Sequence, residues 1–316
     1  MTEVPQNLLD FIHNGKRFVV VGHEEPDGDC AGSQLALCSL LCRMGKNAVP
    51  CSAGPFKRTE LKHYEKLFLP FPEDREDLRV IVMDVSVRKR VGNLPIDGLP
   101  SAVVDHHASG KPWGDVFYLD PLAPSVTFLT EKIFSALGFK PTKEEAELLL
   151  FGLLTDTGFF RHLDESGAET FNTAARLTAA GASPKKLFGI ISGGKALNSR
   201  LLLGASLAGT RSYYEGRLLI TDETLEELER FGAESRDSDL LYQLLQSVEG
   251  VQAIVLVRQE NGEECSLGFR SRDCLDVAAV AKLFGGGGHK NASGAKTHGN
   301  IAELEEKIVD AFKKYF

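Results

Sequence analysis

The sequence reads as an α/β protein of two domains. A larger N-terminal domain, residues 1–191, has a mainly parallel sheet flanked by helices. A smaller C-terminal α/β domain, residues 208–316, has a mixed sheet, and a connector spans 192–207. Three observations predict this. The chain has 316 residues, more than a usual single domain. Short apolar runs that read as buried strands alternate with helical stretches through the first half. The second half shifts to hairpin signals, at Glu215-Gly216 and at Asn261-Gly262.

In chain order, 5–14 is a short helix closed by Asn14-Gly15. Residues 17–21 are a strand that runs into an acidic loop, Gly22-His23-Glu24-Glu25-Pro26-Asp27-Gly28-Asp29, and a helix follows to about Met44. Residues 47–51 form a second strand, and 54–77 carry no strong signal. Residues 78–83 are a third strand, ending at Asp84. Residues 101–104 are a fourth, delivering Asp105-His106-His107 before the flexible Ala108-Ser109-Gly110. After a strand at 116–120, Pro124 suits the first turn of a helix that stops at Gly138. A helix from about Lys143 ends in Thr155-Asp156-Thr157-Gly158. Helices near 167–181 and 184–191 complete this half. A connector helix covers about 196–207, and a hairpin covers 210–221. Paired strands at 251–259 and 263–270, a helix over 276–283, a glycine run at 285–288 and a helix over 301–315 complete the chain.

Three successive strands end in Asp or His, and core packing does not explain that. Open α/β sheets place their sites beyond the C-terminal strand ends. The first loop sets His23, Asp27 and Asp29 where a nucleotide-binding loop would present bare amides, and oxygen and imidazole groups so spaced converge on a divalent cation. Asp156 is a carboxylate at the foot of an apolar helix and needs a partner, for which a metal ion serves. The alternative for the first loop is a capped turn with Asp29 as the helix N-cap.

Composition narrows the function classes. The formal net charge of −8 argues against salt-driven binding to a long nucleic-acid duplex, though not against a small phosphorylated substrate. No apolar run approaches the length of a membrane helix, and the N-terminus lacks a basic start and an apolar signal core. The six cysteines, Cys30, Cys38, Cys42, Cys51, Cys265 and Cys274, form no Cys-x-x-Cys pair, so reduced thiols in the cytoplasm are expected. Cys30 beside Asp29 reads as a small buried residue.

Taken together, Gly22-His23-x-x-Pro26-Asp27-Gly28-Asp29, Val82-Met83-Asp84, Asp105-His106-His107 and Gly152-Leu153-Leu154-Thr155-Asp156-Thr157-Gly158 resemble the DHH phosphoesterase superfamily. Phe269-Arg270-Ser271 and Gly285-Gly286-Gly287-Gly288-His289 resemble its associated C-terminal domain. The two-domain layout is similar to the nanoRNase/pAp phosphatase (NrnA-type) branch. Asn291 departs from the small residues usual after the glycine run.

The resemblance implies two divalent ions, manganese by preference, with magnesium or cobalt as alternatives. One would be held by His23, Asp27 and Asp84, the other by Asp29, Asp84, His106 and Asp156. Such a pair acidifies a water and clamps phosphoryl oxygens for in-line attack. His107 is expected to contact the reacting phosphate or leaving group, Asp105 to orient an imidazole, and Arg161 to neutralise phosphate. Arg270, Ser271, Gly286, Gly287, Gly288 and His289 are expected to bind the substrate, with closure across 192–200. The implied activity is hydrolysis of short oligoribonucleotides to 5′-mononucleotides and of adenosine 3′,5′-bisphosphate to AMP. A phosphodiesterase for cyclic dinucleotides or linear pApA is the alternative, and a non-catalytic nucleotide-binding protein is the alternative of another class. The expected partners are short RNA or small phosphorylated nucleotides, with no membrane; a homodimer is left open.

Overall fold

The computed structural model describes residues 2–108, 113–272 and 275–316. Ser109, Gly110 and Cys274 lie outside the described residues. The chain divides into two compact units, Met1–Gly194 and Lys195–Phe316.

In the first unit, α1 (Gln6–Asn14) leads to β1 (Arg17–Val21), α2 (Gly28–Arg43) and β2 (Asn47–Cys51). Short 3-10 turns precede β3 (Leu78–Met83), β4 (Ser101–Asp105) and β5 (Val116–Leu119). Then come α3 (Val126–Ala136), α4 (Lys143–Asp156), α5 (Ala168–Ala179) and α6 (Pro184–Ser192). The sheet order is β2-β1-β3-β4-β5, and every pairing is parallel. The order reverses between β1 and β3, so a crevice opens at their C-terminal ends, the usual site position in such sheets. The strands that carry His23, Asp84 and Asp105 are adjacent there.

Alternation along the strands splits the core by face. Phe18, Val20, Ile81, Met83, Ala102 and Val104 pack with residues of the helices. Val19, Val21, Val80, Val82 and Val103 pack instead under Val85, Val91 and Ile96 from turns. The helices therefore cover one face of this sheet, and irregular chain covers the other.

The packing of α2 on α4 sets the site. Glu145, fully buried in the first turn of α4, accepts from Ser39 Oγ (2.7 Å) and Arg43 Nη1 (2.5 Å) near the end of α2. At the opposite ends, a Cβ on Gly32 would lie 2.6 Å from the Leu148 carbonyl, and one on Gly152 would lie 2.9 Å from the Asp29 Cα. The helices thus run antiparallel in near-backbone contact, which brings the start of α2 to the end of α4. Pro124 falls before α3 rather than in its first turn. Ser125 is the N-cap, its hydroxyl accepting from Phe128 N, because a side-chain acceptor there satisfies an end amide.

In the second unit, α7 (Leu197–Ala208) precedes β6 (Arg211–Tyr213), β7 (Leu218–Glu223), α8 (Leu225–Phe231) and α9 (Ser238–Gln246). There follow β8 (Ala253–Gln259), β9 (Glu264–Ser271), α10 (Val277–Leu283), β10 (Gly287–His289), β11 (Ala292–His298) and α11 (Ile301–Phe312). The sheet order is β10-β11-β9-β8-β7-β6, mixed, with β7 and β8 parallel and the other pairs antiparallel. Helix α7, in the stretch expected to be a connector, packs Leu203 into the core of this unit with Leu241, Leu245 and Leu256. The glycine run is not simply a loop: Gly287 and Gly288 pair with Gly294 and Ser293 in an edge strand.

Gly152→Ala tests the close helix contact. The added methyl meets Thr127 Cγ2 at 2.4 Å as well as the Asp29 backbone. Overpacking of this kind costs about 1–3 kcal/mol, and urea denaturation is expected to show that loss despite the better helix propensity of Ala.

Candidate metal centre

His23 follows β1 and is buried. Its Nδ1 lies 2.7 Å from the Glu24 carbonyl, so that nitrogen carries the proton and the Nε2 lone pair faces inward. There it meets Asp84 Oδ2 at 3.4 Å and Asp27 Oδ2 at 3.8 Å. Asp27 is the N-cap of α2, its Oδ1 accepting from the amides of Asp29 and Cys30, which leaves Oδ2 for the cluster. Asp27, not Asp29, is therefore the cap, because its extended backbone lets its side chain reach the first amides of the helix.

Asp29 is only 1% exposed. Its Oδ2 accepts from Val126 N (2.5 Å), and its Oδ1 accepts from Thr127 N (2.8 Å) and Thr127 Oγ1 (2.6 Å). The N-terminus of α3, with its positive dipole end, thus fixes this carboxylate. Sequence reasoning passed over Thr127; its only signal was a place in the first turn of a helix after Pro124.

Asp84 follows β3 with φ +60°, a region costly for a non-glycine residue. This conformation turns its side chain into the crevice, where it is 3% exposed. Its Oδ1 is buried without a hydrogen-bond partner among the described residues. That oxygen lies 3.5 Å from His107 Nδ1 and 3.8 Å from His106 Nε2. His106 Nδ1 sits 3.1 Å from the Ala123 carbonyl, so its Nε2 is also the bare nitrogen, 3.4 Å from Asp156 Oδ2. Asp105 Oδ1 accepts a hydrogen bond from His107 Nδ1 at 2.7 Å and fixes that ring.

Three sets of ligand-type atoms are close enough to share an ion: His23, Cys30 and Asp84; Asp84, His106 and His107; and Asp29, His106 and Asp156. The carboxylates strain one another. Burial, then repulsion from Asp84 and Asp156, raises the Asp29 pKa. Burial likewise raises Asp84, and it is the main cause that pushes Asp156 to about 6. Asp156 also sits at the negative end of the α4 dipole. Burial opposes the charged form of Asp27, but His23 and the Cys30 amide outweigh it and hold the acid at about 2. Burial disfavours the His23 cation, yet Asp27 and Asp84 override it and raise its pKa. For His107, the hydrogen bond to Asp105 is the leading cause of an upward shift.

These features fit divalent cations. Imidazole Nε2 atoms face carboxylate oxygens at 3.4–3.8 Å, longer than ordinary hydrogen bonds; without an ion the carboxylates favour a protonated His23, and a divalent cation would supply that positive charge instead. Ligands about 2.1 Å from one octahedral ion stand about 3 Å apart, so small side-chain shifts would let the same atoms share one. The unpartnered Asp84 Oδ1 faces both His106 and His107.

Other expected residues lie elsewhere. Arg161 is exposed in the turn after α4, where a Cβ on Gly158 would lie 2.9 Å from its Nε. Cys30 is fully buried, as expected, and the described cysteines are free thiols. In the second unit, His289, Ala292 and Arg270 form one lateral row across β10, β11 and β9. Arg270 stacks on Tyr242 at 4.4 Å and donates to the Phe269 carbonyl. Ser271 Oγ is occupied by the Leu275 carbonyl at 2.7 Å. A Cβ on Gly286 would lie 2.1 Å from the Gly294 carbonyl. The Asn291 carbonyl accepts from Ser271 N, a bond that any residue could make, and its Oδ1 lies 3.5 Å from Ser271 Oγ.

Residues 17–153 match the model of the DHH family, N-terminal domain, and residues 222–316 match that of the DHHA1 domain. The chain belongs to the DHH family. A bifunctional oligoribonuclease and PAP phosphatase NrnA from Thermus thermophilus is 29% identical over 297 residues, covering 93% of this chain and 89% of that protein. A cyclic-di-AMP phosphodiesterase PdeA from Listeria monocytogenes is 26% identical over 342 residues, covering 99% of this DHH chain but only 50% of the relative. A solved exopolyphosphatase-related protein from Bacteroides fragilis shares the fold, with TM-score 0.82, 22% identity, and coverage of 98% and 95% of the two chains.

Added manganese is expected to raise the unfolding temperature of this DHH protein, since a ligand at 100 times its Kd stabilises by about 2.7 kcal/mol. Asp84→Asn is expected to abolish most of that shift. Differential scanning fluorimetry with and without a chelator reads both.

Proposed function

We propose that this protein hydrolyses short oligoribonucleotides to 5′-mononucleotides and removes the 3′-phosphate of adenosine 3′,5′-bisphosphate. It is a phosphoester hydrolase of the DHH family. The observation that carries the reading is the Asp84 carboxylate, buried between His23 on one side and His106 and His107 on the other, with one oxygen unpartnered. Similarity to the NrnA relative along nearly the whole of both chains supports the substrate class.

His23, Asp27 and Asp84 would hold one divalent cation, and Asp29, Asp84, His106 and Asp156 a second. Manganese is the ion expected for this mixed imidazole and carboxylate set, with magnesium or cobalt as alternatives. Bound there, the ions supply Lewis-acid polarisation of the phosphoryl oxygens and acidify the attacking water. Asp105 aims His107 by holding Nδ1–H and favours its protonated form, whose Nε2–H would donate to the phosphate or leaving oxygen. Asp29, fastened by Thr127 and Val126, keeps its place as charge develops. Arg270 and His289, in one row of the second sheet, offer donors to a nucleotide phosphate.

Cleavage of cyclic or linear dinucleotides is the second reading, favoured by similarity to the PdeA relative. It ranks lower because the match spans half of that protein.

The test is a turnover panel with manganese: a two-to-five-nucleotide RNA, adenosine 3′,5′-bisphosphate, pApA, cyclic di-AMP and pyrophosphate. Short RNA is expected to yield 5′-mononucleotides. Asp84→Ala and His107→Ala are expected to lower kcat by at least about 100-fold, in line with loss of a positioned acid–base or metal group. Preference for cyclic di-AMP would move the assignment to the second reading. Binding of all five without turnover would overturn the enzyme.

A further inference from the structure

At the end of the first sheet opposite the metal centre, where β1, β3 and β4 begin, lies a cavity of about 550 Å³. Its size is within the range of small-molecule sites, about 300–1,000 Å³. Lys16, Arg75 and Arg79 line it, and Asp77 is the one acid of its wall among the described residues. Leu99 and Pro100 supply an apolar side. Strand β3 separates it from the metal centre. Arg79 and Asp84 are five residues apart along and just beyond that strand, about 17 Å at a rise of about 3.3 Å per residue.

Among the described residues no carboxylate pairs with any of these three cations. Elsewhere in the same unit Arg17, Arg43, Arg88 and Arg176 each meet a carboxylate. Asp74 and Asp97, which precede two of the lining segments, are taken by Arg17 and Arg88. In a chain of net charge −8, three unanswered cations at one cavity are a feature to explain.

Neutral carbonyls hold the two guanidinium groups in place. Arg75 Nη2 donates to the carbonyls of Pro95 (2.5 Å) and Asp97 (3.1 Å). Arg79 Nη1 donates to the Phe11 carbonyl at 2.7 Å, and its guanidinium lies over the Phe11 ring at 5.0 Å. Gly15 makes room for it, since a Cβ there would lie 2.9 Å from Arg79 Cδ. Carbonyl bonds orient a guanidinium without cancelling its charge, and each fork keeps N–H groups to spare. The exposed Lys16 ammonium makes no hydrogen bond or ion pair among the described residues. The positive potential also reaches a neighbour. Lys46 donates to the carbonyls of His13 and Gly15, and burial, then the Arg79 charge, lowers its pKa.

We propose that this edge of the first sheet binds a small ligand carrying two adjacent phosphates, gripped by Lys16, Arg75 and Arg79. Guanidinium forks match phosphate oxygens in planar, bidentate geometry, and an ammonium adds a compact charge. A diphosphate spreads several negative charges over neighbouring oxygens, which answers three cations set against one acid. Leu99 and Pro100 offer contact to an organic group carried by the diphosphate. The site stands apart from the metal centre and from the activity proposed there.

Equilibrium dialysis of the manganese-loaded chain tests this. The probes are radiolabelled methylene diphosphonate and adenosine 5′-(α,β-methylene)diphosphate, whose methylene bridges resist hydrolysis. Asp84→Ala disables the metal centre, so binding that survives it reports on the cavity, and one probe per chain is expected to remain. Joint Lys16→Ala and Arg75→Ala substitution is expected to weaken that binding at least about tenfold, the scale of charge-assisted contacts. Arg79 is kept, because its stacking on Phe11 belongs to the packing. The same loss is expected at one site of the chain with Asp84 intact, which covers the case of an Asp84 variant that does not fold. Tighter binding of the nucleotide analogue identifies an organic diphosphate lying on the apolar side, and equal binding identifies inorganic diphosphate; both support the site. No probe bound once Asp84 is replaced in a folded chain, or binding that the Lys16 and Arg75 substitutions leave unchanged, overturns it.

Discussion

Four carboxylates, Asp27, Asp29, Asp84 and Asp156, are drawn into one crevice, and among the described residues no lysine or arginine is bonded to them. Like charges in a poorly solvated space repel, and burial favours their protonated forms. The fold holds them there by several independent devices. Backbone amides at the start of α2 hold Asp27, and the start of α3 holds Asp29. A left-handed backbone at Asp84 turns that side chain inward, and α4 ends at Asp156. Each device opposes part of the electrostatic cost, and a divalent cation is the natural remainder.

The antiparallel contact of α2 and α4 is what makes this geometry available. Gly32 and Gly152 remove the side chains that would separate the helices, and Glu145 ties the far ends through Ser39 and Arg43. A helix N-terminus is thereby set against a helix C-terminus at the crevice. The sheet contributes the other half, because β1, β3 and β4 are neighbours at the switch point and end together.

Much of this was legible in the chain. The parallel strands stand out as continuous apolar runs, and their terminal residues as chemistry that core packing cannot explain. The hairpin around Asn261-Gly262 and the acid at Asp156 were visible for the same reason: each breaks a local pattern. Less legible were β10 and β11, since a glycine run has no side-chain alternation to read. Helix α7 was seen as a helix, but its membership of the second core depends on Leu203 meeting Leu241 and Leu256, which no local signal announces.

The sequence by itself determined the types of the candidate site residues, their order and their placement at strand and helix ends, because those follow from local periodicity and from which residues tolerate a loop. Tertiary structure decided which atoms are free. It set the tautomers of His23 and His106 through the carbonyls of Glu24 and Ala123. It assigned the helix cap to Asp27, gave Asp29 to Thr127 and Val126, and left one Asp84 oxygen unpartnered. It also gathered Lys16 and Arg79, 63 residues apart in the chain, at one cavity. Hydrogen-bond satisfaction and convergence across a sheet are properties of distance in space, which spacing along a chain does not encode.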